Sequence, residues 1–228
     1  IGSVDGTPVS EFYKKYLNSS TNKISLINGV DLPVVKYNKS NKISFLFLGR
    51  IESDKGILET IEAFKEIIKA YPNSLSLTII GEGSLKNKIL NISKNISDIR
   101  ILGPQTHKQI ANHFKEIDVT LSLNLIGNIS NIVLEAIANE TAIITLKKDQ
   151  KTYHDIDSEN FLGKNVMYIS RHNIIEDLKK IICEIINDKT MIYDYKKLVK
   201  ENLKPKLKTW RDRTNQEIKI FEGLYLDK

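Results

Sequence analysis

The chain has 228 residues and a formal net charge of +6, with 41% hydrophobic and 27% charged residues. This composition excludes wholesale disorder and fits one full domain with appended elements. No Lys/Arg-rich block interleaved with aromatic residues occurs, so the positive charge does not indicate a nucleic-acid surface. A single cysteine, Cys183, excludes a disulfide framework and a cysteine metal site and fits a cytosolic compartment.

Short apolar runs alternate with helix-periodic segments along the chain. The runs predict strands at Ile43–Leu48, Leu75–Ile80, Ile99–Leu102, Val119–Leu123, Ala142–Thr145 and Val166–Ile169. The segments predict helices at Pro8–Leu17, Ile57–Tyr71, Ser84–Ser93, His107–Lys115, Asn131–Asn139 and Ile174–Asn187. Because the strands are nearly continuous in Ile, Leu and Val and alternate with helices, they predict an α/β fold with a doubly wound parallel sheet.

The turn from Gly49 to Gly56 has the residues of an anion site. It follows the first strand and leads into a helix, and it carries Arg50 and Lys55. Gly49 lets a ligand approach the backbone, the guanidinium can fork onto phosphate oxygens, and the helix N-terminus adds unpaired N–H groups. The plain alternative is a solvated turn whose Arg and Lys are ordinary surface charge.

Two further strand ends carry glycines. Gly81 and Gly83 flank Glu82 after the second strand, and Gly103 follows the third. Since ligands bind at the carboxyl ends of the strands in such sheets, the three glycine turns together indicate one site. Each turn alone is equally typical of a tight connection from strand to helix.

The fourth turn, residues 124–131, leads into the helix that carries Glu135. Its Ser- and Asn-rich start presents backbone N–H groups and polar caps. A carboxylate about one turn inside the helix can accept hydrogen bonds from a ribose diol while the helix end faces phosphate. The alternative is an acid that only complements the helix dipole.

These motifs together resemble the C-terminal, donor-binding domain of retaining glycosyltransferase family 4, in the GT-B superfamily. The resemblance rests on order and spacing over roughly Lys23 to Leu226: Gly49-Arg50 with Lys55-Gly56, Ile80-Gly81-Glu82-Gly83, Leu102-Gly103, Asp118-Val119 and Leu134-Glu135-Ala136. The segment Ile27–Asp31 is similar to the family's interdomain connector. The amphipathic segment from Thr209 to Tyr225 is similar to its C-terminal crossing helix.

The resemblance implies a role for each matching residue. Arg50 and Lys55 would be the catalytic residues, which hold the donor diphosphate and stabilise the leaving nucleotide in place of a metal. Glu135 would bind the ribose hydroxyls. The remaining donor-binding positions would be Gly49, Gly81, Glu82, Gly103, Gly127, Asn128, Asn131 and Ile132. The implied donor is a nucleoside-diphosphate sugar of UDP or GDP type, and no cofactor is expected.

One position departs from the common pattern of the family. Many members have a glutamate followed by glycine eight residues before the second glutamate, where this chain has Gly127 and Asn128. Asn128 and Asn131 resemble another branch, with Asn-x-x-Asn before the Leu-Glu-Ala segment. Because the first glutamate lies near the sugar, the identity and positioning of the sugar are open at this point.

The resemblance implies an organisation in three parts and a missing partner. Residues 1–31 would be the trailing end of an N-terminal acceptor domain with its connector, 32–204 the nucleotide-sugar-binding domain, and 205–228 the crossing helix. The chain also begins at Ile1 rather than Met, which indicates a piece of a longer polypeptide. It would be an incomplete, inactive donor half.

The whole enzyme would transfer a hexose-type sugar to a glycan or lipid-linked acceptor in surface polysaccharide biosynthesis. It would be cytoplasmic, with peripheral association at the inner face of the membrane as a further expectation. Two alternatives remain at this point: a GT-B sugar-nucleotide epimerase, and a non-catalytic nucleotide-binding module.

Overall fold

A computed structural model describes residues 2–4, 24–37, 40–125, 129–147 and 156–226. The predicted helix at Pro8–Leu17 lies outside these residues, as do Gly127 and Asn128. Elements are numbered over the described residues.

Six parallel strands form one sheet in the order β5-β4-β3-β6-β7-β8. They are β3 (Ile43–Leu48), β4 (Leu75–Ile80), β5 (Ile99–Leu102), β6 (Val119–Ser122), β7 (Ala142–Leu146) and β8 (Met167–Ile169). The sequence predicted all six, with ends that differ by one residue at β6, β7 and β8. A separate pair of parallel strands, β1 (Gly2–Val4) and β2 (Ser25–Ile27), was not predicted.

Eight helices are present in the described part of the chain. They are α1 (Ile57–Ala70), α2 (Lys86–Ser93), α3 (His107–Phe114), α4 (Asn131–Ala138), α5 (Ile156–Leu162), α6 (Ile174–Asn187), α7 (Thr190–Leu198) and α8 (Trp210–Leu226). A π-helical turn, Val199–Leu203, continues α7. A capping box opens α3, in which Thr106 and Gln109 bond reciprocally.

Helices cover both faces of the sheet, and alternate strand residues enter two separate cores. Phe45 and Phe47 point to the face covered by α1, α2 and α6, where the Phe45 and Phe64 rings pack edge to face at 5.0 Å. Leu46 and Ile143 point to the other face, beneath α3, α4, α5 and the π-helical turn. The prediction of a doubly wound α/β sheet is therefore confirmed.

The C-terminal helix α8 packs on the segment that follows β2. The buried Arg213 donates from Nε to the carbonyl oxygen of Ile27 at 2.8 Å, and the Val30 N–H donates to the Lys208 carbonyl oxygen at 2.9 Å. A Cβ at Gly29 would overlap the backbone of Trp210. These contacts join α8 and the residues just before it to the segment after β2.

Candidate active site

The direction in which strands are added to the sheet reverses between β3 and β6, so the ends of these two strands lie side by side. The chain leaves β3 toward β4 and β5 on one side, and it returns to pair β6 with β3 on the other. The crevice outside the carboxyl ends of β3 and β6 is where ligands bind in open parallel sheets. Gly49 and Asn124 lie at these two ends.

A cleft of about 460 Å³ opens at this point, and we call it the strand-end cleft. Its volume falls within the range of small-molecule sites, about 300–1,000 Å³. Six of the predicted site residues line it together: Gly49, Arg50, Lys55, Asn131, Ile132 and Glu135. They come from one connection, the turn after β3, and from one helix, α4, which are distant in sequence, so the fold brings them together.

The turn after β3 holds the two cations of the cleft. Ser53–Lys55 is a single 3₁₀ turn, and Gly56 follows it with φ 66° at the start of α1. Arg50 is exposed, whereas Lys55 is largely buried, with side-chain exposures of 72% and 22%. A Cβ at Gly49 would meet no atom within 4 Å, so the backbone is open to the cleft there.

The N-terminus of α4 faces the same cleft. The N–H groups of Val133 and Leu134 donate to the Ser130 carbonyl oxygen, at 2.9 and 3.3 Å. The N–H groups of Asn131 and Ile132 precede the intrahelical ladder and carry the positive end of the helix dipole. This arrangement suits a phosphate or another anion.

Glu135 lies one turn further along α4, at the wall of the cleft. Burial raises the pKa of its carboxyl group; His107 opposes this effect and Asp31 adds to it. Its Oε2 atom is buried and has no hydrogen-bond partner among the described residues. A buried acceptor without a donor is costly, and a ligand hydroxyl would supply that donor.

A smaller cavity of about 130 Å³ adjoins the strand-end cleft on the other side of Glu135. The two share Ile110, Asn131 and Glu135, and the smaller one also contacts Asp31, His107 and Trp210. The carboxylate of Glu135 thus stands between a basic compartment and a compartment of mixed charge.

Three predicted donor-binding residues lie beside this cleft rather than in its wall. Gly81 packs on Gly49, whose carbonyl oxygen a Cβ at position 81 would overlap, and its φ is 149°. The carbonyl oxygen of Glu82 accepts a hydrogen bond from the Ile51 N–H at 2.7 Å, and its carboxylate pairs with Lys86. Gly103 lies next to that ion pair. These residues support the turn that carries Arg50.

Sequence reasoning missed several polar residues of the site. Asn28, Asn124 and Ser130 line the strand-end cleft, and Asp54 contacts both of its cations. Asn124 and Ser130 lie in the turn before α4, and this position in the sequence could have predicted that they line the site. No sequence pattern predicts this for Asn28, because only the fold brings it to Asn131.

No group of three His, Cys, Asp or Glu residues in the described part of the chain is arranged to hold a metal ion. None of the helices in that part of the chain is long and apolar enough to span a membrane.

A family model described as "Glycosyl transferases group 1" matches residues 42–188, more than half of the chain. The chain belongs to this family. It is 26% identical over 193 residues to the alpha-monoglucosyldiacylglycerol synthase of Acholeplasma laidlawii. The match covers 83% of this chain and 44% of that protein. The chain spans less than half the length of the curated relatives that it matches.

Two solved structures share the fold of this chain. A TarM mutant of S. aureus, in complex with fondaparinux, alpha-GlcNAc-glycerol and UDP, has a TM-score of 0.75 at 18% identity and matches 96% of this chain and 43% of that one. The C-terminal domain of LpcC, a group 1 family protein from Francisella tularensis, has a TM-score of 0.62 at 18% identity. That match covers 79% of this chain and 99% of the LpcC domain.

Proposed function

We propose that the chain is the nucleotide-sugar-binding domain of a retaining, family 4 glycosyltransferase. One observation carries the proposal: Arg50, Lys55, the N-terminus of α4 and the unpartnered Glu135 converge on one cleft at the reversal point of the sheet. Two cations with a helix N-terminus suit a diphosphate, and a buried carboxylate suits a diol. A nucleoside diphosphate carries both groups in one molecule.

In this proposal Arg50 and Lys55 perform the electrostatic part of catalysis. When the bond between the sugar and the diphosphate breaks, negative charge develops on the phosphate oxygens. Fixed cations at that position stabilise the charge without a metal ion, and removing one such donor typically costs about 3–4 kcal/mol of the barrier. Glu135 accepts from the ribose hydroxyls and fixes the nucleotide relative to these cations.

The proposal defines the sugar and the acceptor only by their chemical class. We infer a hexose-type sugar and a glycan or lipid-linked acceptor, in surface polysaccharide or glycolipid synthesis at the cytoplasmic face of a membrane. The relative named as a glucosyldiacylglycerol synthase supports a lipid-linked acceptor. Gly127 stands where many family members have a glutamate near the sugar, so the proposal defines the sugar only as hexose-type.

The chain would supply only one wall of the catalytic cleft. Its match to less than half of its curated relatives, and to nearly all of the C-terminal domain of LpcC, supports assignment to the donor half. An upstream domain would bring the acceptor. The alternative of a non-catalytic nucleotide-binding module draws on Gly127 and on this partial match.

Calorimetry with UDP, GDP and ADP sugars, with and without EDTA, tests the proposal. We expect the chain to bind one of these donors with the same affinity in the presence of the chelator, since Arg50, Lys55 and α4 supply the countercharge. Binding that disappears on chelation, or no binding of any nucleotide, would contradict the proposal. A protein joined to its native upstream domain that binds nucleotide but transfers no sugar would favour the non-catalytic module.

A further inference from the structure

The carboxylate of Asp54 lies against both cations of the strand-end cleft. Its Oδ2 atom is 3.8 Å from Nη2 of Arg50 and 3.3 Å from Nζ of Lys55. The cations belong to the wall of the cleft, and Asp54 contacts both without lining the cleft itself. An anion that enters the cleft therefore meets two cations whose charge is already partly neutralised.

Backbone hydrogen bonds fix the turn that carries Asp54. Asp54 is the middle residue of the 3₁₀ turn, and its carbonyl oxygen accepts a hydrogen bond from the Leu125 N–H at 2.9 Å. The Leu125 carbonyl oxygen in turn accepts from the Arg171 guanidinium. The turn after β3 is thus hydrogen-bonded to the segment after β6 through the backbone of Asp54.

We propose that Asp54 is an internal counter-ion that lowers the affinity of the site for diphosphate and favours release of the nucleotide. The inference rests on the diphosphate site proposed above. In the absence of another anion, Asp54 offsets the repulsion between Arg50 and Lys55. When a diphosphate contacts the same cations, the carboxylate repels its oxygens and competes for their N–H donors.

The size of the effect follows from distance and exposure. A phosphate oxygen and Oδ2 that share Arg50 and Lys55 are only a few ångströms apart, where like charges repel appreciably. The side chain of Asp54 is 34% exposed, so solvent and salt screen part of this repulsion. We expect removal of the charge to tighten diphosphate binding about three- to tenfold at low ionic strength.

The variant Asp54→Asn keeps the shape of the side chain and removes its charge. Pyrophosphate, UDP and uridine are titrated into the wild-type chain and the variant by calorimetry, at low and at high ionic strength. We expect tighter binding of pyrophosphate and UDP, unchanged binding of uridine, and a smaller difference at high salt. A role confined to fold stability would not separate UDP from uridine.

The matched control is Glu62→Gln, which removes the same charge from an exposed position on α1. We expect its affinities to equal those of the wild-type chain. Asp54→Ser repeats the measurement with a second neutral side chain, and thermal unfolding checks that each variant is folded.

The outcomes separate this inference from the proposed function. Unchanged or weaker pyrophosphate binding by folded Asp54 variants overturns the counter-ion role, and weaker binding would mean that the carboxylate holds the cations in place. If pyrophosphate shows the expected gain and UDP does not bind, the counter-ion role stands and the nucleotide function fails. If neither ligand binds to any of the proteins, both are overturned.

Discussion

The side chain of Asn28 donates a hydrogen bond from Nδ2 to Oδ1 of Asn131 at 3.1 Å. The bond joins the segment after β2 to the first residue of α4, across 103 positions of sequence. Both residues line the strand-end cleft. Because Asn131 opens the helix that we assign to the diphosphate, the position of the segment after β2 is linked directly to the proposed donor site.

The variant Asn28→Ala tests this link. We expect it to weaken UDP binding by about 0.5–1.5 kcal/mol, the net contribution of one hydrogen bond, because the Asn131 side chain loses its partner. Calorimetry gives the affinity and thermal unfolding the stability. Asn95→Ala, an exposed asparagine after α2, is the control and should bind UDP normally. Equal affinity for Asn28→Ala and Asn95→Ala would show that the bond does not support the site.

Arg50→Ala and Lys55→Ala should each weaken diphosphate binding by about 1.5–3 kcal/mol, the scale of a charge-assisted hydrogen bond. The thermal midpoint should change little, since both residues lie in a surface turn and contact the carboxylate of Asp54. Titration with UDP and pyrophosphate measures the loss.

Lys65→Ala is the control for these two variants, because Lys65 is an exposed cation on α1. Normal binding by the Arg50 and Lys55 variants would show that the site is misassigned. Variants that unfold would show that the two charges are structural.

Glu135→Gln should separate stability from binding. The folded pKa of Glu135 is raised by burial, so the native state holds the proton over a range in which the unfolded chain has lost it. The stability that this proton contributes is therefore present below the unfolded pKa and is lost as the pH rises through the folded pKa. Because glutamine does not titrate, the variant should gain thermal stability relative to the wild-type chain as the pH rises from the unfolded pKa through the raised folded pKa.

The same variant should bind UDP more weakly by about 1.5–3 kcal/mol and pyrophosphate normally, because only UDP brings ribose hydroxyls to Oε2. Thermal scans across pH and paired titrations measure the two effects. Glu62→Gln, which changes an exposed carboxylate on α1, is measured alongside as the charge-matched control. A flat difference for Glu135→Gln would show that its carboxyl group is not destabilised in the fold.

The glycine turns should respond differently to alanine. A Cβ at Gly81 would overlap the Gly49 carbonyl oxygen, and its φ of 149° disfavours a side chain, so Gly81→Ala should lose about 2 kcal/mol or more. A Cβ at Gly103 would lie 3.6 Å from Oε1 of Glu82 and 3.7 Å from Nζ of Lys86, which is ordinary contact. Gly103→Ala should stay within about 0.5 kcal/mol of the wild-type chain. Chemical denaturation measures both, and an equal loss would contradict the distinction.

The strands and most helices could be predicted because the period of the apolar residues decides them. The run Ile43–Leu48 is apolar enough to be buried on both faces, and α1 repeats Ile57, Ile61 and Phe64 at helical spacing. The helix α7 was missed because one short break, Asp188–Lys189, separates it from α6 and its apolar face is weak. The local apolar pattern therefore predicts the strands and helices such as α1, but it does not predict α7.

The candidate site was predictable where its residues follow strand ends, and only there. Arg50, Lys55 and Glu135 stand at fixed offsets from β3 and β6, so sheet geometry predicts that they meet. Asn28 reaches the cleft through the packing of α8 and its own segment, which no local pattern encodes. The role of Asp54 depends on the distances from its carboxylate to Arg50 and Lys55, which the sequence does not contain.

The last prediction concerns activity. A sugar transfer needs donor and acceptor held face to face in a cleft that excludes water, and such positioning accounts for up to about 7–11 kcal/mol of a barrier. These 228 residues offer Arg50, Lys55 and Glu135 for the donor, and in our proposal the acceptor binds to the upstream domain. We therefore expect the chain alone to hydrolyse a bound donor slowly at most, and transfer to appear when the native upstream domain is joined to it. Radiolabelled donor and a lipid-linked acceptor measure both reactions, with Arg50→Ala in the joined protein as the inactive control. Efficient transfer by these residues alone would refute the assignment to a donor half, because it would require an acceptor site within this chain.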